Sequence, residues 1–183
     1  ILRIDRGSFG RRRPGDRAFF HPGVMMPRMA RALVNISLVQ AGEILLDPFC
    51  GTGGMVLEAE LVGAQGAGSD IDPLMVAGSR KNVPGGFFFR ADATALPVRS
   101  SGIHAVATDL PYGQSVSIAA GSIDTLYSGT LEEIRRVLMP GRRAVVVTHR
   151  DISRQAGELM EVVATYSQRV HRSLVRRILV LRK

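Results

Sequence analysis

Apolar residues recur along this chain in short continuous runs separated by segments of helical spacing, and that alternation predicts strand–helix units feeding a mostly parallel sheet. The runs Ile44-Leu45-Leu46, Ala64 to Ser69, Phe87-Phe88-Phe89, Ile103 to Thr108 and Ala144 to Thr148 each predict a strand, with the third and fifth buried. Between them, Met55 to Leu61 predicts a helix that stops at Gly63. Pro73, Leu74, Val76 and Ala77 predict a second, with Asp72 as its N-cap. Tyr127, Leu131, Ile134 and Leu138 share one face of a helical stretch between Ile123 and Leu138. Gly129, and the capping-box spacing of Thr130 and Glu133, leave open whether this is one helix or two.

Upstream, Pro27 opens a helix running to about Gln40, with a stripe at Met29, Leu33, Ile36 and Gln40 and a stop at Gly42. Downstream, Ile152 to Met160 predicts a short helix. Glu161 to Lys183 predicts two long strands around a turn near Arg172-Ser173, with the β-branched content of Val175, Ile178 and Val180. A hairpin closing a series of strand–helix units puts one antiparallel strand into the sheet. That arrangement separates the chain from dinucleotide-binding dehydrogenases.

The 183 residues, 45% of them hydrophobic, suffice for one sizeable core. Leu2 to Arg17 is dense in Gly, Arg and Asp and reads as an extended or looped arm. The expected organisation is therefore an arm or linker over residues 1–22 and one domain over 23–183. A start at Ile1 suggests a piece of a longer protein. No apolar run approaches a membrane span, and the single cysteine, Cys50, permits no internal disulfide and no cysteine-rich zinc site. His21, His104, His149 and His171 lack ligand spacing, so no metal site is expected. Together these features predict a soluble cytoplasmic protein.

The net charge of +8 favours polyanionic partners, although a generic basic surface would look the same. The arginines of the arm, Arg12 and Arg13 among them, suit phosphate oxygens or a solvated linker equally. Arg169, Arg172, Arg176, Arg177, Arg182 and Lys183 crowd the other end of the chain.

Chemistry concentrates at strand ends. The stretch Asp47-Pro48-Phe49-Cys50-Gly51-Thr52-Gly53-Gly54 joins a strand to a helix. Its glycines permit positive φ and close ligand approach, while Asp47 argues against a phosphate and for a ligand carrying an amino group and a sulfonium. A bare tight turn would also use glycine. Asp70, at the tip of the second strand, is placed to accept from both hydroxyls of a ribose. Asp92 lies beyond the third strand, where it either accepts from an adenine amino group or holds an Asx-turn. The fourth strand delivers Asp109-Leu110-Pro111-Tyr112-Gly113.

The pairing of Asp47–Gly54 with Asp109–Tyr112 resembles class I S-adenosylmethionine-dependent methyltransferases that act on exocyclic amino groups. In that group the second motif runs acid or Asn, Pro, Pro, then Tyr or Phe. Leu110 departs from it but still offers the backbone carbonyl the group uses. Arg17-Ala18-Phe19-Phe20-His21-Pro22-Gly23, followed by Met29 to Asn35, narrows the resemblance to the catalytic domain of the archaeal tRNA (guanine(10)-N2)-methyltransferases, over about Arg11 to the C-terminus.

This likeness implies a Rossmann-like α/β fold with a mostly parallel seven-stranded sheet and an antiparallel C-terminal strand. It implies S-adenosylmethionine held by Asp47, Phe49, Gly51, Gly53, Asp70, Ile71, Asp92 and Ala93. Catalysis would rest on Asp109, Pro111 and Tyr112, and substrate contact on Leu110, Tyr112, Arg12 and Arg13. It further implies tRNA as partner, with a small zinc-binding activator protein known for some members, and an RNA-binding THUMP domain that has no counterpart in these residues. Competing expectations are methylation of adenine N6 or of ribosomal RNA guanine, and a non-catalytic RNA-binding scaffold of the same fold. An acid at position 109 leans toward guanine.

Overall fold

The computed structural model describes residues 6–10, 12–112, 122–172 and 174–183, with Arg6 and His171 described by backbone alone. Leu2 to Asp5, Arg11, Gly113 and Ser173 of the expectations above lie outside them. Helix α1 (Arg6–Gly10) and a single 3-10 turn (Pro14–Asp16) precede α2 (Pro27–Ile36). Then follow β1 (Ile44–Asp47), α3 (Gly54–Glu60), β2 (Gln65–Asp70), α4 (Pro73–Asn82), β3 (Phe87–Arg90), β4 (Ile103–Asp109), α5 (Ile123–Val137), β5 (Leu138–Thr148), α6 (Ser153–Gly157), β6 (Glu161–His171) and β7 (Leu174–Arg182).

The strands form a seven-stranded sheet in the order β3-β2-β1-β4-β5-β7-β6. The first five pair in parallel, and β7 runs antiparallel to both β5 and β6, so the predicted reversed strand is there. The reversal of strand order between β1 and β4 is the switch point at which α/β sheets place ligands.

The central strands read as unbroken apolar runs because both faces of the sheet are covered. Successive side chains on a strand point to opposite sides. Leu45, Val145 and Val147 accordingly join Leu33 and Val34 of α2 in one core cluster, while Leu46, Ala144 and Val146 join Leu131 and Ile134 of α5 in the other. The third strand departs from expectation. Phe87 is 69% exposed and Phe88 only 4%, because β3 is the outer strand of the sheet and its Phe87 face is covered only from Phe89 onward.

Other boundaries also moved. Helix α2 stops at Ile36 rather than near Gln40 because Leu38 turns left-handed at φ +59°, four residues before Gly42 does so at φ +79°. The region left open as one helix or two is one, with Ser122 accepting from the Thr125 N–H. Gly129 does not break it: a Cβ there would lie 3.0 Å from Thr94 Cγ2, so glycine lets the loop after β3 approach. Thr130 is fully buried in mid-helix, and Glu133 instead accepts from the Leu96 N–H at 2.7 Å. Strand β5 begins at Leu138, six residues before Ala144, since Leu138 pairs with Ile103 ahead of an irregularity in register.

The described part of the arm carries short helical turns and is fastened to the body. Arg12 and Arg31 both reach the fully buried carboxylate of Glu58 on α3, each at 2.8 Å. Asn82 at the end of α4 exchanges hydrogen bonds with the backbone of Phe19, accepting at 2.8 Å and donating at 2.9 Å. The Phe19 ring lies on Gly78, where a Cβ would sit 2.0 Å from it.

Candidate active site

Strand β1 delivers Asp47 to the sheet's carboxyl edge with its side chain turned inward, 3% exposed. Its Oδ1 accepts from the Thr108 hydroxyl at 2.7 Å and the Phe49 N–H at 3.1 Å. Burial pushes this carboxyl up to about 7; the two donors oppose that, and the charges of Asp70 and Asp109 add to it. The loop that follows needs its two glycines for different reasons. Both are left-handed, at φ +49° for Gly51 and +81° for Gly53. A Cβ on Gly53 would stand 3.1 Å from Ser79 Cβ and 3.3 Å from the Phe88 ring, whereas nothing lies within 4 Å of one on Gly51, which faces open space.

The Asp70 carboxylate accepts the Gly51 N–H on Oδ2 and the Asp72 N–H on Oδ1, both at 3.0 Å. These bonds hold the two loops in register. A carboxylate offers about four acceptor positions, so these bonds do not exhaust it even with the Ile71 N–H also directed at it. Asp72 caps α4 as expected, accepting from the Leu74 N–H at 2.8 Å.

Strand β4 ends at Asp109. The Leu110 side chain is buried at 1% exposure and its N–H bonds the Val147 carbonyl at 2.8 Å, so its own carbonyl is the polar group these contacts leave over. The buried Tyr127 donates to the Pro111 carbonyl at 2.7 Å and fixes the turn. Tyr112 donates its hydroxyl to Asp109 Oδ1 at 2.7 Å and accepts from Arg176 Nε at 3.1 Å. Arg176 Nη2 stands 3.8 Å from Asp109 Oδ2, and the His149 ring lies 5.0 Å from that of Tyr112.

The two strand tips open into one cleft of about 210 Å³, lined by Asp47, Phe49, Gly51 and Thr52 on one side and Asp109 on another. The segment His21 to Met25 closes it. Asp70, Ile71, Asp92 and Ala93 lie beyond the enclosed part. There the surface is open: Ile71 is 51% exposed, while Ala93 is buried.

Asp92 takes one of its two expected roles, and Arg12 departs from the expected one. Asp92 Oδ1 accepts from the N–H and the hydroxyl of Thr94, both at 2.8 Å, which is the Asx-turn alternative. Arg12 spends its guanidinium on Glu58 and is not directed to a substrate, because a buried carboxylate needs a paired cation. Arg13 lies in a separate groove with Phe9 and Arg28, away from the cleft. At the other end of the chain, Arg177 pairs with Asp151, Arg182 with Glu161, and Lys183 donates to the Leu138 carbonyl, leaving Arg169 and Arg172 exposed. Arg176 and the closing segment His21–Met25 were not predicted as site residues. Arg176 is 64 residues from Tyr112 in sequence, and no local pattern links them.

A family model described as the RMKL-like methyltransferase domain matches residues 14–178. The chain belongs to that family. Among relatives of this RMKL-like domain, the tRNA (guanine(10)-N2)-dimethyltransferase of Methanothermobacter thermautotrophicus is 38% identical over 98% of this chain and 55% of its own length. The corresponding protein of Pyrococcus abyssi is 37% identical over 96% of this chain and again 55% of its own. The chain thus spans about half the length of these curated relatives.

TrmN from Thermus thermophilus superposes with a TM-score of 0.75 at 22% identity, covering 88% of this chain and 50% of that one. A Haloferax volcanii methyltransferase solved with the Trm112 activator superposes at 0.67 with 16% identity, covering 84% and 88%. At these identities the likeness is one of fold: the RMKL-like domain has the class I methyltransferase fold expected from its motifs. Among the described residues no helix is long and apolar enough to cross a membrane.

Proposed function

We propose that this domain transfers a methyl group from S-adenosylmethionine to the exocyclic N2 of a guanosine in tRNA. The observation that carries the reading is the Asp109 carboxylate lining the same cleft as Asp47 and the open backbone of Gly51. The residues fit the donor. Gly51 leaves room for close approach, the free acceptor positions of Asp70 suit ribose hydroxyls, and the buried Asp47 carboxylate suits a cationic neighbour. Phe49, Gly53, Ile71, Asp92 and Ala93 complete the proposed binding surface, Asp92 through the oxygen its Asx-turn leaves over.

S-adenosylmethionine supplies an electrophilic methyl on a sulfonium sulfur, which keeps the carbon–sulfur electron pair as the carbon–nitrogen bond forms. The guanine amino lone pair is delocalised into the ring, and the task of the protein is to localise it. Asp109 and the Leu110 carbonyl accept the two amino hydrogens and turn the lone pair toward the methyl group. Positive charge then develops on nitrogen beside a carboxylate already aimed at it. The proton shed by the methylated nitrogen passes to Asp109 or to water. Tyr112 stacks on the flipped base, and Pro111, tied to Tyr127, keeps the turn rigid.

The names of the archaeal relatives support tRNA as substrate. The fold shared with the Haloferax volcanii protein supports a small activator protein as partner. A cytoplasmic location follows from a tRNA substrate. The test is to incubate the native-length protein with labelled S-adenosylmethionine and unmodified tRNA, digest the RNA and identify the labelled nucleoside. Label in N2-methylguanosine is expected. Label in N6-methyladenosine, or none, refutes the reading.

A further inference from the structure

Arg176 is the cationic side chain that contacts both ends of the Asp109–Tyr112 pair, and it comes from an element with no role in the reading above. It lies near the start of β7, two strands away from β4 in the sheet. Its guanidinium crosses the end of β5 to donate to the Tyr112 hydroxyl at 3.1 Å and to stand 3.8 Å from Asp109 Oδ2. The side chain is only 12% exposed, so it is poorly placed for a phosphate in solvent. Tyr112 meanwhile occupies Asp109 Oδ1 at 2.7 Å, one of the oxygens an amino group needs. When the substrate amine takes that oxygen, the Tyr112 hydroxyl shares it or gives it up. Arg176 then has a second partner already within reach in Oδ2.

We propose that Arg176 is a positioning residue for methyl transfer, acting on Asp109 directly and through the Tyr112 hydroxyl. This rests on the function proposed above. Its physical content is that a half-buried acceptor must remain an anion while it receives amino hydrogens. Burial pushes the Asp109 carboxyl up, and the Tyr112 hydroxyl and the Arg176 charge pull it back. Other groups facing this cluster are Asp47 from β1, Tyr127 from α5, and His149 and Arg150 following β5. Of these, Asp47 is the group that responds to Asp109, whose charge helps to raise the Asp47 carboxyl.

The test uses the native-length protein and unmodified tRNA, comparing wild type with Arg176→Gln and Arg176→Lys across pH. With S-adenosylmethionine saturating, so that the Asp47 ionisation does not set the profile, removing a cation this close moves the acidic limb of kcat/KM for tRNA to higher pH by about one to three pH units, with activity recovering above it. Arg176→Lys is expected to return the limb most of the way while S-adenosylmethionine affinity stays unchanged in both variants. An unmoved limb with a raised KM for tRNA would make Arg176 a phosphate contact. A uniform loss at all pH with a lowered Tm would make it merely structural. Either result overturns the inference. The Asp109 carboxyl can also be titrated without turnover through its 13C shift, assigned with Asp109→Asn. That titration must move upward in Arg176→Gln even if tRNA guanine is not the substrate, and a stationary titration sinks the inference independently of the enzymatic assay.

Discussion

Replacing Asp47 with asparagine tests whether the cleft stores electrostatic cost for use in binding a cation. In the folded protein the Asp47 carboxyl is raised from 3.8 to about 7, first by burial, against the opposing Thr108 and Phe49 donors. With a folded value above the unfolded one, the folded state holds its proton longer as pH rises, so stability falls with pH. The loss begins near pH 4, accumulates to about pH 7 and is fully in force above that. A difference of about three pH units at 1.36 kcal/mol each sets the scale at up to about 4 kcal/mol. The amide side chain of Asp47→Asn would keep an oxygen for the Thr108 hydroxyl and the Phe49 N–H but could not ionise.

Urea denaturation of Asp47→Asn and wild type at pH 4 and pH 8 should therefore give similar stabilities at the lower pH and a more stable variant at the higher. Binding of a cationic methyl donor favours the ionised form, so wild-type S-adenosylmethionine affinity should rise from pH 5 to pH 7 with release of a proton. Calorimetry in buffers of different ionisation enthalpy measures that proton. The variant should bind weakly at every pH and release none. Equal pH dependence of stability in the two proteins would refute the argument.

Asp109→Ala should leave S-adenosylmethionine binding largely intact and cost at least about 3 kcal/mol of transition-state stabilisation, read as kcat/KM on tRNA; near-normal turnover would remove Asp109 from the mechanism. Gly53→Ala must hold a side chain at φ +81° and 3.1 Å from Ser79 Cβ, so a stability loss of about 1–2 kcal/mol from the backbone alone is expected, together with weaker donor binding by calorimetry. Glu58→Gln leaves Arg12 and Arg31 without their buried anion; about 3 kcal/mol of stability should be lost, and trypsin should cleave the arm at Arg12 or Arg17 far faster than in wild type. An arm equally resistant in the variant would mean that Phe19 and Asn82 alone hold it.

Much of this protein was legible along the chain itself. A sheet covered on both faces must be apolar at odd and even positions alike, so Leu45-Leu46 and Val145-Val146-Val147 announce central strands without reference to partners. The loop glycines and the acids at strand tips are short-range features, and the conformation they require is local: Gly51 and Gly53 turn left-handed, and Asp72 caps the helix that follows it through the N–H two residues on. Tertiary structure alone decided what depends on neighbours remote in sequence. Arg12 was claimed by Glu58, 46 residues away, and Arg176 came to Tyr112 across 64. Phe87 was exposed by its place on the outer strand. Charges carry no periodicity, and the partner of a long side chain is set by which strands lie side by side, so one run of arginines could be read as a phosphate contact, a core tether or an active-site support until the sheet order was known.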